Sequence, residues 1–185
     1  MSYRPRRPRI KISLEEVDIL PFDDRTVVNR FSSGRRPIDQ FLKNKAKKAV
    51  RRREFQIFCA YLPASFNVIG YYALQLGSDS VRELPANQSN YVANYVAFPA
   101  VHLSYLGVHE DYQANGLGKH MLMDAFTNVC KIADYAGFYA LTLQSLDAES
   151  TSFYSELGFT PYSHGLESPK MLYPIQTLIA LVRES

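Results

Sequence analysis

Apolar positions along the chain recur with two periods, and the switches between them outline the elements. "EEVDILPF" (15–22) reads as a first short strand. In "FSSGRRPIDQFLKNKAKKAVRRREF", Ser33 or Gly34 can start a turn, and Pro37 suits a first helical position. Ile38, Phe41, Leu42, Ala46, Ala49 and Val50 then fall on one helical face. "EFQIFCAYL" (54–62) alternates and is rich in aromatics, which predicts a strand. Pro63 to Asn67 make a turn, and "VIGYYALQLG" (68–77) returns as the second arm of a hairpin. From Ser78 to about Ala100 the chain is polar, with Pro85, Asn87, Gln88 and Asn90. A loop of that length is usually functional or mobile. "AVHLSYLGV" (100–108) predicts a strand and "HEDYQANG" a turn. Met121, Leu122, Ala125, Phe126, Val129, Ile132, Ala133 and Ala136 predict a helix from Leu117 to Ala136, with Gly137 placed to end it. "YALTLQS" (139–145) is a strand, and "AESTSFYSEL" (148–157) a short helix closed by Gly158. "MLYPIQTLIALV" (171–182) is a last strand running into a turn of helix. The order predicts a mixed α/β sheet in one domain, residues 13–185, behind a tail of residues 1–12.

Composition narrows the class. With 185 residues, 46% hydrophobic and 21% charged, the chain can bury one sizeable core. No apolar run approaches the ~20 residues that span a bilayer, and the N-terminus lacks the apolar region of a secretory signal. A membrane partner is therefore not expected. Cys59 and Cys130 stand without a CxxC or a histidine cluster, which argues for core thiols in a reducing, cytoplasmic setting and against a metal site.

Charge changes the picture more. Residues 1–53 carry 16 Lys/Arg against 6 Asp/Glu, a balance of +10, and residues 54–185 carry 5 against 12, a balance of −7. Arg4, Arg6, Arg7 and Arg9 alternate with Pro5 and Pro8, which predicts an extended, flexible tail. Lys43, Lys47 and Arg51, with Lys48 and Arg52, line the outer side of the first helix. Such a side either meets phosphate or is a solvated face.

"YQANGLGKHML" (112–122) joins a strand to a helix through two glycines. A helix N-terminus presents unpaired N–H groups and a partial positive charge, and glycine lets an anion approach. The amides of Ala114, Asn115, Gly116, Leu117 and Gly118 can hold a pyrophosphate, with Gln113 as a side-chain donor and Lys119 as a nearby charge. The P-loop pattern is absent, and the dinucleotide fingerprint lacks its third glycine and its acidic residue. Taken alone, QxxGxG is either a ligand turn or a flexible loop ahead of a helix. His102 alternates with Ser104 and Leu106 on one strand face. It is either a general base or a structural histidine, water taking the proton in the second case. Glu110 and Asp111 read as solvated turn residues.

The spacing "YLGV", "QANGLG", "LQSLDAESTSFYSELGF" resembles the GNAT superfamily of acyl-CoA-dependent N-acetyltransferases, over roughly residues 68–182. The resemblance implies a mostly antiparallel sheet flanked by helices, with strands splayed to form a CoA cleft. It implies acetyl-CoA as donor, Leu106, Gly107 and Val108 along the pantetheine arm, and Gln113–Gly118 on the pyrophosphate. It also implies that Tyr154, in the pattern FYxxxGF, stands near the thioester sulfur. A phenol with a reference pKa of about 10 can protonate a departing thiolate, and strand amides at Leu106 and Val108 can polarise the carbonyl. The other reading of Tyr154 is a core aromatic beside Phe153 and Phe159. The family often has Asn and Ala where this chain has Asp147 and Ser150.

The first half, with "FSSGRRPIDQFLKNKAKKAVRR" and "GYYALQLGS", resembles the GNAT toxins of bacterial toxin–antitoxin pairs. Those enzymes acetylate the α-amine of aminoacyl-tRNA and stop translation. The resemblance implies that Arg35, Arg36, Lys43, Lys47, Lys48, Arg51, Arg52 and Arg53 meet acceptor-stem phosphates, with an affinity that falls with salt. The tail is then a second RNA contact or disordered. An antitoxin protein and a homodimer are implied partners. Two other readings stay open at this point: a GNAT enzyme for a small amine or a peptide amine, and a non-catalytic, basic nucleic-acid-binding module.

Overall fold

The β-branched and aromatic runs form seven strands: β1 Asp18–Pro21, β2 Gln56–Tyr61, β3 Gly70–Ser80, β4 Ala97–Val108, β5 Ala140–Gln144, β6 Thr160–Pro161 and β7 Lys170–Pro174. The helices are α1 Arg36–Asn44, α2 Ala46–Arg51, α3 Leu117–Ala133, α4 Ala148–Glu156 and α5 Ile175–Glu184. These belong to a computed structural model, which describes residues 9–63, 65–80, 82, 84, 96–163 and 168–184. One sheet contains all the strands in the order β1-β2-β3-β4-β5-β7-β6. β1 with β2, β5 with β7 and β6 with β7 are antiparallel. β4 and β5 are parallel, from Ala100 opposite Ala140 to His102 opposite Thr142. This is the mixed, mostly antiparallel sheet with flanking helices that the resemblance implies.

Contacts divide the chain into two compact units, residues 1–73 with 105–125 and residues 74–104 with 126–185. β3, β4 and α3 each supply a segment to both.

The first unit is built on aromatic packing. Phe31, Phe41, Leu42, Ile57, Cys59 and Tyr71 are buried in one cluster. Tyr105 stacks on Phe41 at 3.8 Å between centroids, and Phe31 meets Tyr71 edge-on at 5.5 Å. Tyr71 is fully buried, so its hydroxyl needs a partner. It donates to the carbonyl of Ile38 at 2.8 Å and so ties α1 to β3. Burial raises its phenol pKa well above the usual tyrosine range. Gly107 is buried where α1 crosses β4: a Cβ there would stand 2.5 Å from Ile38 Cγ2. Cys59 and Cys130 are both free, and burial pushes the Cys59 thiol up to about 12. Cys59 therefore behaves as a small core hydrophobe.

The second unit has a core of Leu84, Phe98, Ala100, Ala140, Tyr162 and Leu172. Phe126, Phe159 and Tyr173 form a further aromatic group, with centroids 5.4–5.9 Å apart.

Several predicted boundaries move. The single helix expected after Pro37 is broken at Lys45, whose φ of −122° lies outside the helix. Its buried face is as predicted, with Ile38, Phe41, Leu42, Ala46 and Ala49 inside. Lys43 and Lys47, Lys47 and Arg51, and Lys48 and Arg52 lie four apart, and such like-charge pairs weaken a continuous helix. β3 extends to Ser80 and β4 begins at Ala97, so the strands take both ends of the expected long loop. Most of the rest of that loop, residues 85–95 included, lies outside the described residues. α3 stops at Ala133 rather than Ala136, and Gly137 does not adopt a positive φ to cap it. Gly158, at φ +96°, does follow α4. The last helix runs the ten residues of α5 rather than one turn, and the short β6 had no signal in the hydrophobic pattern.

Tyr71→Phe should lower the unfolding free energy by about 1 kcal/mol, because one buried hydroxyl bond is lost while the ring remains. Urea unfolding checks this; an unchanged midpoint would mean that the Ile38 bond contributes nothing.

Candidate active site

The turn between β4 and α3 is held from the side by the chain that precedes α1. Gln113 Nε2 donates to the carbonyls of Ser33 at 3.0 Å and of Val108 at 3.1 Å. His109 donates from Nε2 to Arg30 O at 3.0 Å, since a carbonyl can only accept, and its Nδ1 accepts from the Asp111 N–H at 3.2 Å. The N–H of Glu110 donates to Ser32 O at 2.7 Å, and that of His109 to Ile69 O at 2.8 Å. Asn115 Nδ2 donates to Tyr112 O at 3.0 Å and to Ile10 O at 2.8 Å.

These bonds brace the backbone of the turn. Ala114 and Gly116 both have positive φ, +61° and +79°. Leu117 is buried and anchors the first turn of α3, while Lys119 is exposed. Among the described residues, no loop or cap hydrogen bond starts from the N–H of Ala114, Asn115, Gly116, Leu117, Gly118 or Lys119. The first helical bond runs from the His120 N–H to Gly116 O. A row of open donors at the start of a 17-residue helix suits an anion. One expectation changes here. The Gln113 side chain was expected to reach a ligand, but both of its amide protons point to protein carbonyls. It braces the turn, and the backbone supplies the donors. Leu106 and Val108 are half-buried at the end of β4, beside buried Gly107.

Tyr154 sits on α4 in the second unit. It is buried edge-on between Phe153 at 5.1 Å and Phe159 at 5.6 Å. Burial raises its phenol pKa well above the usual range, so the hydroxyl stays protonated at neutral pH. The two departures from the family pattern form the cap of this helix. The Ser150 N–H donates to Asp147 Oδ1 at 2.9 Å, and the Asp147 N–H donates to Ser150 Oγ at 3.0 Å.

His102 belongs to a polar group that no sequence motif announces. Its Nε2 is buried, has no hydrogen bond, and lies 3.7 Å from Asp79 Oδ2. Asp79 is buried and accepts from Lys170 Nζ at 3.1 Å and from Thr142 Oγ1 at 3.3 Å. Burial alone would raise the Asp79 pKa. The hydrogen bond and charge of Lys170, with the nearby Tyr162 hydroxyl, outweigh it, and the carboxyl is held below its ordinary value. Asp79, Thr142 and Lys170 come from β3, β5 and β7. A lone lysine opening the apolar run "KMLYP" was the only local hint of them.

The cations expected to meet RNA line the outside of α1 and α2. Arg35, Arg36, Lys43, Lys47, Lys48, Arg51, Arg52 and Arg53 are all exposed. Lys47 and Arg51 share Asp24 at 3.0 and 3.4 Å, and Arg52 lies 3.5 Å from Glu54. Exposed pairs of this kind are weak and exchange readily for other anions. Arg4, Arg6 and Arg7 lie outside the described residues, and Arg9 is exposed.

The family described as "Acetyltransferase (GNAT) domain" matches residues 84–168. A "Probable toxin TacT" of Sinorhizobium fredii is 30% identical over 153 residues, covering 78% of this chain and 83% of that one. The chain belongs to the GNAT acetyltransferases. A "tRNA-acetylating toxin" of Mycobacterium tuberculosis is also 30% identical, over 71% of this chain and 77% of its own. Among solved structures, AtaT complexed with acetyl-methionyl-tRNAfMet is similar in fold, with a TM-score of 0.80 and 21% identity over 89% of this chain and 98% of that one. No helix among the described residues is long and apolar enough to cross a membrane.

The Asp79 carboxyl has a depressed folded pKa, so its contribution to stability is present in full above the unfolded value of about 3.9 and is lost as pH falls through the folded value. Asp79→Asn should destabilise the protein by about 2 kcal/mol at neutral pH, since Lys170 loses its charged partner. Below pH ~4 the gap to wild type should narrow. Urea midpoints against pH that run parallel for the two proteins would contradict this account.

Proposed function

We propose that this GNAT enzyme transfers an acetyl group from acetyl-CoA to the α-amine of aminoacyl-tRNA and thereby blocks translation. The observation that carries the reading is the link between two features. The open amides of residues 114–119 belong to a turn whose brace, Gln113, ends on Ser33, in the segment that leads into the basic helix α1. The Ser33 N–H and Oγ both donate to Asp39 Oδ1, at 2.8 and 2.7 Å, which fixes the helix start. Donor turn and basic face are thus one framework within the first unit. The 30%-identical relative named a "tRNA-acetylating toxin" favours a tRNA acceptor, and the other relative is also named a toxin.

The residues fit acetyl-CoA. Its diphosphate suits the open N–H groups of Ala114 to Lys119 and the uncluttered Gly116, where a Cβ would meet nothing nearer than Leu14 Cδ1 at 3.5 Å. Leu106, Gly107 and Val108 are assigned to the pantetheine arm. When bound, acetyl-CoA supplies an acetyl group activated as a thioester. Tyr154 Oη holds the proton that accompanies the leaving thiol, and its burial keeps that proton in place until it is needed. The acceptor amine must be neutral to attack. His102, with Nε2 turned toward ionised Asp79, leaves Nδ1 to take the amine's proton; water is the alternative acceptor. The exposed cations of α1 and α2 hold the acceptor-stem phosphates. An aminoacyl-tRNA acceptor places the enzyme in the cytoplasm, and the toxin reading calls for an antitoxin protein and a homodimer as partners.

Transfer of labelled acetyl from acetyl-CoA tests the reading. Label should appear on charged tRNA and not on deacylated tRNA; label only on polyamines or peptides would overturn the acceptor. Tyr154→Phe should keep its acetyl-CoA affinity and lose about a hundredfold or more in turnover. An unchanged rate would remove Tyr154 from the chemistry. Lys47, Arg51 and Arg52 changed together to Glu should spare acetyl-CoA binding and abolish acetylation of tRNA. Equal loss of both activities, with an unaltered melting curve, would count against an RNA face on α2.

A further inference from the structure

The N-terminal segment was expected to be a loose tail, yet its described part is fastened to the donor turn. The Ile10 N–H donates to Asp111 O at 2.7 Å, and Ile10 O accepts from Asn115 Nδ2 at 2.8 Å. Leu14 is the nearest side chain to Gly116. Residues 10–14 therefore form a strap along residues 111–116. The strap uses a carbonyl and a side-chain amide of the turn, so the backbone N–H groups that face an anion stay open.

Charge gives this placement its meaning. The turn from His109 to Lys119 carries Glu110 and Asp111 against the single cation Lys119. A ligand with a diphosphate and a further phosphate meets a local excess of acid there. Open amides alone do not neutralise several phosphate charges; arginine and lysine do. Arg9 and Lys11 flank Ile10, and both are exposed. With them the local balance reverses.

We propose that the strap is part of the cofactor site: Arg9 and Lys11 bind the phosphate groups of acetyl-CoA, and the two backbone bonds of Ile10 hold them there. The proposal rests on the reading of the turn as an acetyl-CoA site. It gives the two cations to the small molecule and not to RNA, because each is one residue from a bond to the turn, whereas the cations proposed for RNA lie on and beside α1 and α2.

The test is calorimetric binding to the full-length protein without RNA. Acetyl-CoA, dephospho-acetyl-CoA and acetyl-pantetheine are the probes. Arg9→Ala combined with Lys11→Ala should weaken acetyl-CoA about fivefold at low salt, less at raised salt, and leave acetyl-pantetheine unchanged. A loss shared by dephospho-acetyl-CoA assigns the cations to the diphosphate, and a loss absent from it assigns them to the 3′-phosphate; either supports the proposal. Ile10→Pro removes the N–H bonded to Asp111 while keeping both charges. It should weaken acetyl-CoA to a similar degree with no change in melting temperature. An acetyl-CoA affinity unchanged in the charge variant overturns the proposal. Wild-type protein without affinity for acetyl-CoA would overturn the underlying reading, an outcome distinct from a failure of the strap alone.

Discussion

A single side-chain amide, that of Gln113, holds the end of β4, the start of α3 and the segment before α1 in one arrangement. Its two protons go to Ser33 O and Val108 O, carbonyls 75 residues apart in the chain. Without it the turn would have to hold Ala114 in a left-handed conformation by local forces alone, against a cost of about 1–2 kcal/mol for a non-glycine residue. The bonds from His109 to Arg30 O and from Glu110 to Ser32 O extend the same brace, so residues 30–33 are laced to residues 109–113. Open donors at a helix start are useful only when their positions are fixed in advance, because a mobile turn would have to be ordered by the ligand. The lacing supplies that order and also sets where the basic helices begin.

The second unit handles its polar groups differently. Asp79 is buried with its charge, and three strands supply the groups around it: His102 of β4, Thr142 of β5 and Lys170 of β7. Burying a carboxylate is costly unless it is paired and hydrogen-bonded, and here it is both. The strand face that carries His102 is therefore not an apolar one. Tyr154 occupies the opposite kind of environment, between aromatic rings. Ionised Asp79 and neutral Tyr154 are set apart by their surroundings.

What the sequence revealed followed from local chemistry. The strands, the buried face of α1 and α2, and the glycine turn were legible because periodicity and short motifs report on neighbours a few residues away. Gln113 was legible as part of a motif but misassigned in role, because its partner Ser33 lies 80 residues upstream and nothing local says which way an amide will point. Asp79 and Lys170 meet across 91 residues and carried no shared pattern. Asp147 and Ser150 looked like departures from a family spacing and prove to be a capping box. The break at Lys45 is a boundary effect, where repulsion between like charges four residues apart overrides helical period. The strap was hidden because arginine and proline dominate the tail's composition, while its bonds are made by the backbone of Ile10.

The protein joins a rigid donor turn to a basic helical face, and on this account both serve one reaction on a charged tRNA. That account stands first on where the donor cofactor binds. The most direct measurement is an amide-by-amide NMR titration of the protein with acetyl-CoA. The account predicts the largest shifts at the N–H signals of Ala114, Asn115, Gly116, Leu117, Gly118 and Lys119, saturating together. Saturable binding that leaves those signals in place and moves others would contradict it.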